Sequence, residues 1–300
     1  MKISLKRRSN SDVTFDIVCF IILTFLALIT LYPLYFIVIA SFSDPASVNS
    51  GQVWVWFKNF TVDGYRQVLS DINILRGYMN SIVYTTLGTL VSVSLTLSVG
   101  YSLSRKDMYG RKVIMLLFLF TMFFSGGIIP KYTLVANLGW IDSMWSMIIP
   151  DALSVFNIII AKTFFNTTIP DELLEASIVD GCKDFRFFFR IALPLSKSLI
   201  AIMVLFYAVG NWNSWFNGML YLQDNARYTL NLILRDILIQ VNVNTSNMNI
   251  ASLENMLAQQ RIAELVKYVV IVVSSVPVLA IYPLIQKHFV KGVLIGSVKE

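Results

Sequence analysis

Six stretches of this chain stay apolar for about the length of a membrane crossing, at about 15–41, 78–103, 112–130, 143–165, 198–220 and 266–286. A helix that crosses the hydrocarbon core of a bilayer needs ~20 mostly apolar residues. Backbone in lipid must satisfy its own hydrogen bonds, which favours helices. The windows therefore predict an all-α, polytopic membrane protein with six transmembrane helices, a single transmembrane domain over 1–300. Asp16 and Lys162 stand near window ends, within reach of the interface, and no other charge is read as central. Pro33, Pro277 and Pro283 fall inside spans, where neighbouring helices satisfy the freed carbonyls. Composition agrees: 56% of residues are apolar and 14% charged, against about 45–50% and about 25% in a soluble domain.

The basic opening MKISLKRRSN resembles a signal peptide, but the apolar run after it far exceeds an h-region of about 7–15 residues. An uncleaved first span is the expectation. With the amino terminus inside, the inner segments hold sixteen Lys and Arg and the outer ones eight. That excess places both termini in the cytoplasm. It gives an amino-terminal tail (1–14), an inner segment (166–197), a long outer loop (221–265) and an inner carboxy-terminal tail (287–300). Topology also accounts for the net charge of +6, so nucleic acid is not implied. The basic loop 104–112 needs no partner beyond anionic lipid headgroups. Two distant cysteines and one histidine offer neither a disulfide framework nor a metal site.

The inner segment contains DELLEASIVDGCKDFRFFFRIALPL, residues 171 to 195. Thr168 to Asp171 has the form of a capping box, with Pro170 early in the turn. A helix is expected over 171–179, with Gly181 as a left-handed cap. A second short helix should follow with Phe185, Phe188, Phe189 and Ala192 on one face, ending at Leu193-Pro194. By physics alone such an elbow is equally an interfacial helix resting on lipid.

Glu175, Ala176, Ser177, Asp180, Gly181, Phe188, Ile191, Leu193 and Pro194 resemble the EAA loop of permease subunits of ATP-binding-cassette (ABC) importers. Three positions depart from the pattern: Ser177 replaces an Ala, Cys182 a small residue and Ser198 a frequent Pro. The tail FVKGVLIGSVKE is similar to that of MalG-type carbohydrate permeases. The resemblance implies the type I importer fold, with the elbow docking on an ATPase through Glu175, Ala176, Asp180, Gly181, Phe185, Phe188, Ile191, Leu193 and Pro194. It further implies a bacterial cell membrane location. The implied partners are a second homologous permease, two ATPase subunits binding ATP and Mg, an extracytoplasmic solute-binding protein and a carbohydrate of the oligosaccharide class.

No G-x-x-x-x-G-K-[ST] loop occurs in the sequence, so ATP hydrolysis is expected in a separate chain, and no cofactor or enzyme activity in this one. Span five carries GNWNSWFNGMLY. Asn211, Trp212, Asn213, Trp215 and Asn217 fit a polar, aromatic cargo path. They fit equally an interfacial Trp belt with Asn bonds between helices. Residues 227–241 have the pattern of an amphipathic surface helix. Trp54, Trp56 and Phe57 suit an interfacial anchor. The rival readings are an ABC permease for a non-sugar solute, an ion-driven secondary transporter, for which a charge buried mid-span would be diagnostic, and a structural membrane scaffold.

Overall fold

A computed structural model describes residues 10–244, Glu264 and 266–280 of the chain. The first nine residues, 245–263, 265, the end of the last window (281–286) and the tail 287–300 lie outside the described residues. Those described are mostly helical and include no β-strand, only an isolated bridge between Ser43 and Phe60. Packing divides the chain into two units, residues 1–68 with 240–273 and residues 69–239 with 274–300.

The first unit is built on α1 (Asn10–Ser41), whose 32 residues span about 48 Å at 1.5 Å per residue, ample for a bilayer core of ~30 Å. Its apolar side chains are exposed nearly all round, from Phe15 to Val38. A helix apolar on every side belongs in lipid or against other membrane helices. Only its last turns are buried, where Ile39 and Ala40 meet Val48 of α2 (Pro45–Asn49) and Val53. The loop after α2 exposes Trp54 and Trp56. It is tied back to α1 by the hydroxyls of Tyr32 and Tyr35, which donate to the carbonyls of Trp54 and Val55. A short α3 (Asp63–Ser70) follows.

The second unit is organised around α4 (Ile72–Ser104). Ser81, Thr85, Gly88, Ser92, Thr96 and Gly100 recur every three or four residues and are buried, a stripe of small residues that lets helices approach closely. Against it lie α8 (Val155–Thr168) and α12 (Lys197–Trp212). The approach is closest at Gly100, where a Cβ would stand 2.6 Å from the Cβ of Ala161. Tyr207 joins all three helices: its hydroxyl shares a 2.6 Å hydrogen bond with buried Thr96 and accepts from the Ser154 amide that opens α8.

Three expected spans are divided. Window 112–130 becomes α5 (Arg111–Phe123) and α6 (Ile128–Asn137), bent by 115° at Ser125-Gly126-Gly127. Window 143–165 becomes α7 (Met144–Ile148) and α8, parted at Pro150. Window 198–220 becomes α12 and α13 (Trp215–Tyr221). There the Asn213 amide and the Ser214 hydroxyl bond to the carbonyls of Val209 and Asn211, competing with the helix ladder. By length and composition α1 and α4 can each cross a membrane among the described residues, and up to four crossings result if each bent pair counts as one. An α14 (Leu230–Asn244) occupies the expected amphipathic stretch, and an apolar α15 (Val266–Ala280) carries Pro277 in its interior.

Candidate coupling elbow and cargo path

The elbow begins with α9 (Asp171–Val179), at the expected boundaries. The expected capping box is absent: Thr168 is the last residue of α8, and Pro170 holds the N-cap position with extended backbone. Asp171 and Glu172 instead place charge in the first turn, where the helix dipole favours acids. Gly181 adopts φ +72° as expected. The Cys182 amide donates to the Ser177 carbonyl and the Gly181 amide to that of Ile178, both at 2.9 Å. This is the paired bonding of a Schellman C-cap. Ser177, buried where the motif has Ala, satisfies its hydroxyl on the Leu174 carbonyl at 2.7 Å.

The second arm departs from expectation. It comprises α10 (Asp184–Phe187), a π-helical turn over Phe188–Ala192 and α11 (Leu193–Leu195). Leu193 is helical, so Pro194 does not end the arm. The ring of Pro194 cannot accept a normal turn against the Arg190 carbonyl, and the wider π turn before it accommodates the ring. The arm ends at Ser196, where the chain bends by 82° into α12. The π turn also rotates the faces. Phe187, Phe188 and Ala192 point inward, whereas Phe185 and Phe189 are exposed, so the predicted single aromatic face does not form.

Those inward residues join the core of the second unit. Phe187 (1% exposed) and Phe188 pack on Tyr101 of α4, with ring centroids 6.4 and 4.9 Å away, and share a cluster with Phe165 of α8 and Met203 of α12. Ile191 and Leu193 are partly buried on the same cluster. The outer side shows the reverse character: Val179 is 88% and Phe185 82% exposed, and Glu175, Ala176, Asp180 and Pro194 are exposed too.

Loop 104–112, expected only to face lipid headgroups, contacts the elbow. Arg105, with its side chain 14% exposed, forms a double hydrogen bond with Asp107 (2.7 and 2.8 Å) and lies 3.5 Å from Asp184 of α10. Lys106 donates to Asp171 of α9. The loop thus holds the first residue of each arm. The hydrogen bond from Arg105 lowers the Asp107 carboxyl below its ordinary pKa, and the same bond raises the guanidinium. The bond to Asp171 raises the Lys106 ammonium. Between loop and elbow lies a cavity of about 790 Å3, with Arg105, Lys106 and Arg111 facing Asp171, Glu172 and Glu175.

The five candidate cargo residues do not converge. Trp212 is buried, donating from Nε1 to the Ser274 carbonyl at 3.1 Å and packing edge-on to Tyr78. Asn213 bonds its own helix. Trp215 lies under the Arg235 guanidinium, 5.7 Å from the ring centroid. Asn211 and Asn217 do share a cavity, of about 320 Å3, with Asp151, Ser214, Phe206 and Phe216. Asp151 escaped the sequence reading. It stands close to the middle of window 143–165, where no central charge is expected, and Pro150-Asp151 in an apolar run is the signal that marks it. Its carboxylate accepts from Asn217 Nδ2 at 2.7 Å and from Lys131 Nζ at 2.6 Å.

Known proteins are similar to this chain. It is 41% identical over 285 residues to the polygalacturonan/rhamnogalacturonan transport system permease protein YtcP of Bacillus subtilis (strain 168), covering 95% of this chain and 98% of that one. This chain is an ABC transporter permease. It is also 40% identical over 285 residues to protein LplC of the same organism, covering 95% of each. A chain in the crystal structure of a bacterial ABC transporter involved in the import of the acidic polysaccharide alginate superposes with TM-score 0.84 at 31% identity, covering 95% of this chain and 99% of that one. No family model matches. The all-helical fold and the membrane location expected from the apolar windows are those of this family, and the chain is a transport subunit of an ABC system.

Proposed function

We propose that this permease forms, with a second permease, the path by which a bacterial importer carries a carbohydrate across the cell membrane, with both termini in the cytoplasm. Two ATPase subunits bind ATP and Mg on the inner side, and a solute-binding protein delivers cargo on the outer side. The sugar assignment is supported by the similarity to YtcP and to the alginate transporter chain. The absence of a P-loop from the sequence supports ATP hydrolysis in a separate chain.

One observation carries the coupling role. The elbow has its inner residues Phe187, Phe188 and Ala192 in one core with α4, α8 and α12, while Val179, Phe185 and Glu175 face outward. Packed interiors transmit displacement because they are nearly incompressible. An ATPase gripping the outer face therefore moves all three helices when ATP closes it, and ADP release returns them. Glu175, on the acidic wall of the 790 Å3 cavity, offers a carboxylate to a cation of the ATPase. Asn211 and Asn217 belong to the cargo path in this account, whereas Trp212, Asn213 and Trp215 hold the helices that form it.

The test is ATP-driven uptake by the complete importer in proteoliposomes. Glu175→Lys reverses the charge offered to the ATPase and abolishes coupling while membrane insertion persists. Unchanged uptake and unchanged co-purification of the ATPase would refute the role.

A further inference from the structure

The small cavity at the α12–α13 break holds a carboxylate that the elbow does not use. Asp151 lies in the turn between α7 and α8, and its two oxygens are divided: Oδ1 accepts from Lys131 of α6 and Oδ2 from Asn217 of α13. Asn211 reaches the cavity from the last turn of α12, bonded to Thr89 only at a long 3.4 Å. Phe206 and Phe216 add apolar wall. At about 320 Å3 the cavity is at the lower end of the ~300–1,000 Å3 typical of small-molecule sites, space for one sugar ring of a longer chain.

Its chemistry suits hydroxyls. A carboxylate accepts two hydrogen bonds side by side, an amide both donates and accepts, and aromatic faces cover the C–H surface of a ring. An unpaired carboxylate within a membrane protein is costly, and the bonds from Lys131 and Asn217 offset that cost. We propose that Asp151, Asn211 and Asn217 form a cargo subsite in this chain that binds adjacent hydroxyls of one sugar ring. A hydroxyl replaces the Asn217 amide on Oδ2, and the freed amide donates to the neighbouring hydroxyl oxygen. Lys131 keeps Oδ1 throughout. The inference rests on the carbohydrate reading above.

The complete importer, reconstituted with its binding protein and ATP, separates the two claims. Radiolabelled trisaccharides of galacturonate, arabinose and glucose are the probes, and the quantity is sugar delivered per ATP hydrolysed. Delivery of none by the unaltered importer refutes the carbohydrate reading and the subsite with it. Where one is carried, Asp151→Asn lowers delivery per ATP about tenfold or more, the scale of a lost hydrogen bond to a charged group. Lys131→Met, which leaves the carboxylate in place, lowers it less than about threefold. Should Asp151→Asn fail to assemble, Asn217→Ala takes its place with a loss of about fivefold. An unchanged ratio in Asp151→Asn, or in its substitute, overturns the subsite and leaves the carbohydrate reading standing. Equal losses in the Asp151 and Lys131 variants also overturn it, since that pattern belongs to an ion pair that only holds α6 in place.

Discussion

Replacing Gly181 isolates the backbone geometry of the elbow from every other effect. The residue sits at φ +72°, and a Cβ built on it would have nothing within 4 Å. Crowding therefore contributes nothing, and the cost of a side chain is purely conformational. For Ala in the left-handed region that cost is about 1–2 kcal/mol. It is smaller for Asn, which tolerates the region, and larger for β-branched Val. The turn is closed by the bonds from the Gly181 and Cys182 amides to Ile178 and Ser177, so strain favours their opening. A shift of 1–2 kcal/mol raises the open population about 5- to 30-fold. Hydrogen exchange of the 176–186 segment in the detergent-solubilised chain measures it. Amides 181 and 182 should exchange slowest with Gly, slightly faster with Asn, about 5- to 30-fold faster with Ala and fastest with Val. Val exchanging like Gly, or Asn like Val, would refute the reasoning.

Tyr207→Phe removes one partner of fully buried Thr96 and of the Ser154 amide, a loss of about 1–3 kcal/mol that thermal unfolding in detergent should register as a lower midpoint. Gly100→Ala puts a methyl 2.6 Å from Ala161 and should cost about 1–3 kcal/mol by forcing α8 from α4. A cysteine crosslink tuned to the native spacing of those helices should then form more slowly. Arg105→Ala frees the second arm at Asp184 and should speed protease cleavage in the elbow. Because hydrogen bonding to Arg105 depresses the Asp107 pKa, that contribution is present above the unfolded value of ~3.9 and vanishes as pH falls through the depressed value. Cleavage should thus differ between Arg105→Ala and the unaltered chain at pH 7, and the difference should shrink as pH falls through that depressed value.

The elbow was largely legible because its cues are local. The acids at 171 and 172, Gly181 and the following aromatics each act within a turn or two. The inward face was not legible, since the π turn that aims Phe187 and Phe188 at Tyr101 depends on packing against α4 and on Pro194 six or seven residues on. The apolar windows were legible as apolar helical sequence but silent on bends. Hydropathy counts side chains, whereas the breaks at 124–127, 149–154 and 213–214 come from Gly, Pro and side-chain-to-backbone bonding within apolar runs. Asp151 was passed over because one acid hardly changes the mean of a 23-residue window. Its significance appears only when Lys131 and Asn217, 20 and 66 residues away, arrive beside it.

The claim that the elbow's outer face receives the ATPase can be measured by contact. A benzophenone amino acid placed at Val179 or Phe185, both on that face, or at Leu116 of α5, also exposed and apolar, is illuminated within the assembled importer. The expected result is an adduct with the ATP-hydrolysing subunit from 179 and 185 and none from 116. No adduct from either elbow position, or an equal yield from 116, would contradict the account.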